Sequence, residues 1–185
     1  WGDADARDVA RHEVHRWAAH AGLLGEDRSH PRAPQLHYAV RWLERHAPVA
    51  DRVTIVHGDF RVGNFLQVDG RITAILDWEL IHAGDPHEDL AWAGLRVFSA
   101  GTSRIGGLME RDAFYARYTA GTGLRVRPEV VRYYEVLAQF KSAAMLVGAV
   151  RRIESGQARD IRMASMGFQM ASTLLSLNRM ITEAV

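Results

Sequence analysis

The chain has 185 residues, 48% hydrophobic and 24% charged, with a formal net charge of +1 and no cysteine. That is long enough to bury a core and too apolar for a disordered segment. The lack of cysteine excludes disulfides, thiol catalysis and zinc-thiolate sites together, and it suits a reducing, cytoplasmic setting.

Apolar residues at Ala6, Val9, Ala10, Val14, Trp17, Ala18, Ala21 and Leu24 predict a helix over 5–24, stopped by Gly22 and Gly25. A polar loop with Pro31 follows, then a second helix over 34–47 through Leu36, Val40 and Leu43, ended by Pro48. The period changes at Arg52 to Val56, where β-branched Val53, Thr54, Ile55 and Val56 predict a short strand. Phe65 to Val68 and Arg71 to Leu76 flank Asp69-Gly70, a strong two-residue hairpin signal. Asp85-Pro86 reads as a cap with proline at the first helical position, opening a helix to about Phe98. Ser99 to Gly107 reads as loop, and helices follow over 110–119, 128–153 and 160–182. The longest apolar run, Ala143 to Val150, is too short to cross a bilayer, and Trp1-Gly2-Asp3 does not open a signal peptide. No repeat or linker divides the chain, so a single domain is expected over 1–185. It is α+β and mainly helical, with a small hairpin element carrying a dense polar stretch.

That stretch runs His57-Gly58-Asp59, Asn64, the hairpin, then Asp77-Trp78-Glu79. With the turn at Asp69-Gly70, Val68 faces Arg71 and Asn64 falls opposite Ile75. Asp77 shares parity with Ile75, which sets Asn64 and Asp77 on one face as diagonal neighbours, about 7–8 Å apart. An amide oxygen and a carboxylate so placed suit Mg²⁺, which prefers hard oxygen ligands. Asp59, in the loop after the first strand, is placed to accept a proton from an attacking hydroxyl. The protein-kinase order H-R-D-x-x-x-x-N followed by D-F-G has the same logic of base, metal asparagine and metal aspartate. His57 reads as a structural histidine fixing the loop, Trp78 as core packing and Asp85 as a helix cap.

At these residues the chain resembles the aminoglycoside phosphotransferase and choline kinase-like family, which has a protein kinase-like fold and the hallmark H-G-D-x-x-x-x-N. Asp77-Trp78-Glu79 and Gly84-Asp85-Pro86-x-x-Asp89-Leu90-Ala91 look most like the branch found with acyl-CoA dehydrogenases. The resemblance implies Asp59 as catalytic base, Asn64 and Asp77 as magnesium ligands, Asp89 as a buried acid supporting the catalytic loop, and ATP as co-substrate. Glu79 matches a family position too, with a role no closer than behind the metal ligands.

A complete kinase also needs a nucleotide lobe with a phosphate-covering loop and a strand lysine. The one lysine, Lys141, falls in a predicted helix, and no glycine-rich loop after a strand precedes His57. The expectation is therefore a C-terminal lobe alone, inactive without an N-terminal lobe of the same protein. A non-catalytic binding or assembly module is the alternative. His12, His15 and His20 lack the H-E-x-x-H spacing of a zinc site, and a phosphoaspartyl hydrolase would need an alternating α/β chain. Neither G-x-S-x-G nor G-x-G-x-x-G occurs, so serine-hydrolase and dinucleotide chemistry lack their starting motifs.

Charge bears on the substrate. Residues 1–95 carry 10 Arg and 15 acids, whereas residues 96–185 carry 13 Arg or Lys and 7 acids. Solvated helix faces account for much of this, but the basic half also fits an anionic hydroxylated metabolite, such as a hydroxyacyl-CoA, better than a polycationic aminoglycoside. No nucleic-acid partner is expected, because the arginines are spread out and no reader motif accompanies them.

Overall fold

The β-branched run after Arg52 forms a strand, β1 (Thr54–Val56), in the computed structural model, which describes residues 4–24, 33–99, 101–157 and 159–184. Its antiparallel partner is β4 (His82–Gly84), with Thr54 opposite Gly84 and Val56 opposite His82. The sequence gives no strand signal at His82-Ala83-Gly84, because histidine, alanine and glycine have little β preference of their own. Pairing with Val56, which is fully buried, imposes the extended conformation there.

The hairpin forms where Asp69-Gly70 predicts it, as β2 (Phe65–Val68) and β3 (Arg71–Ile75). Asp69 and Gly70 both take positive φ, 50° and 74°, as the tight turn requires. Val68 faces Arg71 as expected, but the register slips between Leu66 and Gln67, so Leu66 pairs with Ala74 and Phe65 with Ile75. Thr73 is the extra residue of this bulge, and its hydroxyl donates to the Leu66 carbonyl at 3.3 Å. The expected pairing of Asn64 with Ile75 is therefore corrected by one residue: the Leu76 N–H donates to the Asn64 carbonyl at 2.8 Å. A bulge shifts every later partner by one, which a turn-based count cannot foresee.

The helices are α1 (Val9–His20), α2 (Ala33–Arg45), α3 (His87–Ala93), α4 (Arg111–Thr122), α5 (Pro128–Glu154), α6 (Ile161–Met166) and α7 (Met170–Thr182). The loop around Pro31 lies outside the described residues. Helix α3 is shorter than predicted: it stops at Gly94, and Arg96–Phe98 forms a separate 3-10 turn. Helix α4 runs through Gly121 and ends at Gly123, whose φ of 70° closes it. The last predicted helix is broken by a 3-10 turn at Gly167–Gln169 into α6 and α7. Among the described residues, no helix is long and apolar enough to cross a membrane.

Two compact units make up the chain, one of Trp1–Val9 with Pro48–Glu135, the other of Ala10–Ala47 with Val136–Val185. Two of their three boundaries fall inside α1 and α5, and the third, between Ala47 and Pro48, in the connection from α2 to β1. The first unit carries both strand pairs and α3, with Val56, Leu90, Ala91, Trp92 and Tyr134 buried. The second is helical, and Leu36, Leu43, Phe140, Leu177 and Ile181 are almost wholly withdrawn from water. There α2 packs along α7.

Candidate active site

The loop after β1 is fixed before any ligand is considered. His57 is buried, and its ring bridges two backbone groups: Nδ1 accepts from the Asp59 N–H at 3.1 Å, and Nε2 lies 2.8 Å from the Leu76 carbonyl. An acceptor at Nδ1 requires the proton on Nε2, so the ring donates to Leu76. Leu76 thus ties the end of the hairpin to His57 through its carbonyl and to Asn64 through its N–H.

Gly58 has a φ of 81°, and a Cβ there would lie 2.6 Å from the Leu80 carbonyl oxygen. Glycine is needed at this point on both counts, which gives a physical reason for the G in His57-Gly58-Asp59.

Asp89 sits in the first turn of α3 and accepts from both loop amides, His57 N–H at 2.7 Å and Gly58 N–H at 2.9 Å. Burial raises its carboxyl above the ordinary value, against the pull of those two donors. Burial first, and then the negative charges of Asp89 and Asp85, also raise the Tyr118 phenol.

Trp92 stands three residues further along α3, on the same face. Its indole N–H donates to Asp59 Oδ1 at 2.7 Å, so one short helix holds the loop at its backbone and at its carboxylate. The other carboxylate oxygen, Oδ2, accepts from Asn64 Nδ2 at 2.7 Å, and the same nitrogen donates to the Asp59 carbonyl at 2.9 Å. Arg61 completes the set, its Nε 3.2 Å from both oxygens. Its guanidinium lies 5.6 Å from the centre of the Phe98 ring, and a Cβ on Gly63 would meet it at 2.2 Å. The Asp59 side chain keeps 17% of its surface exposed, so the carboxylate is anchored without being sealed.

Asn64 is buried and ends the 3-10 turn Val62–Asn64. With its nitrogen committed twice to Asp59, the amide presents Oδ1 as its remaining donor atom. Asp77 follows Leu76 in left-handed conformation, φ 64° and ψ 58°. Aspartate tolerates this region better than most residues, and the turn takes Asp77 out of the strand, so strand parity does not govern its direction. Asp77 is exposed, and its carboxylate has no partner among the described residues. Two hard oxygen donors, one on a fixed amide and one on a free carboxylate, fit a magnesium ion.

Glu79 is exposed on the 3-10 turn Trp78–Leu80. Trp78 is not core: it is 43% exposed, lies tilted with its ring centre 4.6 Å from that of His57, and donates its indole N–H to the Ile75 carbonyl. Asp85 is buried one residue before the cap of α3, a position Pro86 takes instead of the first helical one, and its carboxylate accepts the His87 N–H at 2.9 Å and contacts His87 Nδ1 at 2.6 Å. His12, His15 and His20 form no metal-ligand cluster among the described residues, and His15 faces Glu44 at 2.7 Å.

Arg61 and Trp92 are the partners of Asp59 that the sequence reading missed. Arg61 stands two residues from Asp59, and Trp92 one helical turn beyond Asp89; only the second spacing is a usable signal.

The architecture is the C-terminal half of a protein kinase-like phosphotransferase fold. A crystal structure of a candidate aminoglycoside phosphotransferase from Ralstonia eutropha JMP134 superposes with a TM-score of 0.74, covering 95% of this chain and 56% of that one at 22% identity. The chain belongs to the APH phosphotransferase enzyme family, whose sequence model matches residues 3–140. It is 31% identical over 140 residues to mouse acyl-CoA dehydrogenase family member 10, covering 68% of this chain. It is 29% identical over 145 residues to chicken acyl-CoA dehydrogenase family member 11, covering 70%. The chain spans only 13% and 19% of those two relatives. The resemblance carried by His57-Gly58-Asp59, Asn64, Asp77 and Asp89-Leu90-Ala91 is thus borne out at the level of family and fold.

Proposed function

We propose that these residues are the C-terminal lobe of a small-molecule phosphotransferase that moves the γ-phosphate of ATP to a substrate hydroxyl. The observation that carries the reading is the fixed Asp59 carboxylate, held on one oxygen by Trp92 and on the other by Asn64. Asp59 takes the hydroxyl proton as that oxygen bonds to the γ-phosphorus and the bond to ADP breaks. Arg61, at the partly open side of the carboxylate, is the partner a substrate hydroxyl displaces. Asn64 Oδ1 and the Asp77 carboxylate would hold Mg²⁺, which when bound neutralises charge on the phosphates. Asp89 keeps the loop backbone in place, and Glu79 lies beside Asp77 in sequence with no direct part in the transfer.

The nucleotide lobe is supplied by chain outside these residues, in keeping with the 56% of the solved relative that they span. The 185 residues by themselves are expected to bind Mg·ATP weakly and to transfer no phosphate. The substrate is a neutral or anionic hydroxylated metabolite, with a hydroxyacyl-CoA first among those to screen. Support comes from the basic balance after Arg96 and from the acyl-CoA dehydrogenase names of the relatives. Cytoplasmic residence goes with the absence of cysteine, and fractionation checks it.

The test is Mg·ATP binding and turnover by the full-length protein, wild type against Asp77→Ala and Asp59→Asn. Loss of Mg·ATP affinity in the first and loss of turnover with affinity retained in the second are expected. Equal nucleotide binding by wild type and Asp77→Ala would point instead to a non-catalytic module. Efficient phosphorylation of aminoglycosides with hydroxyacyl-CoAs untouched would overturn the substrate class.

A further inference from the structure

A groove of about 510 Å³ lies wholly within the helical unit, formed by the end of α1, the last turns of α5 and α6. Its volume falls in the roughly 300–1,000 Å³ range that holds small organic ligands. Most of its lining, from Met145 to Met166, stands outside the residues matched by the family's model.

Two chemistries meet there. Met145, Met163 and Met166 supply flexible, polarizable apolar surface that adapts to chains of varied shape. His20, Arg151 and Arg152 supply basic groups, and no acid lines the groove among the described residues. Asp160, just before α6, is spoken for by Arg162 at 2.7 Å.

The basic groups are positioned by close packing against glycine. Arg151 donates to the Ala21 carbonyl at the end of α1, and a Cβ on Gly22 would lie 1.6 Å from its Nη1. A Cβ on Gly148 would lie 2.8 Å from His20 Nε2. A side chain at either glycine would displace a basic group from where it stands. Arg151 is partly committed to capping α1, whereas the Arg152 guanidinium has no hydrogen bond or ion pair among the described residues.

We infer that this groove binds an amphipathic monoanion, a medium-chain carboxylate whose head lies among Arg152, Arg151 and His20 and whose alkyl body lies along the three methionines. The site does not rest on the phosphotransferase reading. An uncharged chain lacks the head's partners, and a small anion lacks the body's.

The experiment is titration of the full-length protein, labelled at its methionine methyl carbons, with octanoate, octanol and acetate, followed by NMR and calorimetry. Octanoate should shift the methyl signals of Met145, Met163 and Met166 and leave those of Met109, Met170 and Met180 in place. Octanol and acetate should bind about tenfold more weakly or worse, and each added methylene of the carboxylate should tighten binding roughly two- to fourfold until the groove is filled. Arg152→Gln, at an exposed position, should weaken octanoate about threefold or more while leaving octanol unchanged. Met163→Glu should abolish octanoate binding. The inference is overturned by octanol binding as tightly as octanoate, by shifts spread equally over the six methyls named, by octanoate affinity unchanged in Arg152→Gln, or by no octanoate binding at all. Thermal melting of both variants separates loss of the site from loss of the fold, and Arg152→Gln alone decides if Met163→Glu melts early.

Discussion

The stretch from Val56 to Trp92 and the helical unit around α2, α5 and α7 are built on opposite principles. In the first, most polar groups taken out of water are satisfied one by one, His57 by Asp59 and Leu76, Asn64 by Asp59 and His87 by Asp85, with Asp85 Oδ2 buried without a hydrogen bond. Its strands have only three to five residues, so directional bonds rather than sheet area set the geometry. In the second, Leu36, Leu43, Phe140, Leu177 and Ile181 fill the interior, with the Lys141 ammonium 5.2 Å from the Trp17 ring centre as a polar exception. Apolar packing tolerates change of identity at constant volume, whereas a satisfied polar network does not tolerate loss of one partner. The site should therefore fail through function under isosteric changes, and the helical unit through stability under changes of volume.

The largest expected effect tests the first half of that contrast. Asp59→Asn keeps the shape of the side chain and removes the base, and kcat of the full-length protein should fall about 10²–10⁴-fold with nucleotide affinity nearly intact. Next, Leu177→Ala opens a cavity in the helical unit and should cost about 2–5 kcal/mol in urea unfolding. Should Leu177→Ala prove harmless, the view of that unit as held by volume fails.

Asp89→Asn should cost roughly 1–3 kcal/mol, because one of the two loop N–H groups loses its acceptor in a buried place. It also carries a pH signature. A carboxyl whose folded-state pKa is raised opposes folding when ionised; that contribution is full above the raised value and fades as pH falls toward the unfolded value near ~3.9. Wild type recovers this stability on acidification and the variant does not, so the gap between them should widen from pH 7 downward. A gap that narrows would mean that the two backbone donors outweigh burial at Asp89. The smallest effect belongs to Trp92→Phe, which deletes one donor to Asp59 while keeping most of the ring. Loss of about 1–2 kcal/mol of positioning would lower kcat roughly 5- to 30-fold with KM little changed. An equal change in KM would mark the indole as a substrate contact instead.

Much of this was legible in the chain itself. Asp69-Gly70 specified the hairpin, since few residues take positive φ in sequence without strain, and apolar residues at helical spacing specified α1, α2 and α5. The order of Asp59, Asn64, Asp77 and Asp89 carried the family before any coordinate did. The break at Gly167 and the end of α3 at Gly94 were hidden, because a single glycine in a helical pattern is tolerated at a modest cost and need not end the helix.

What the sequence determined alone is what short-range physics controls: turn type, helical period and the identity of the polar side chains in the loop. Only the tertiary structure decided which backbone meets which. It made His82-Ala83-Gly84 a strand by setting it against Val56, inserted Thr73 as a bulge that moved Asn64 from Ile75 to Leu76, and brought Trp92 onto the Asp59 carboxylate. Those outcomes depend on contacts between residues distant in the chain or on a one-residue shift of register, and neither leaves a periodic mark in the sequence.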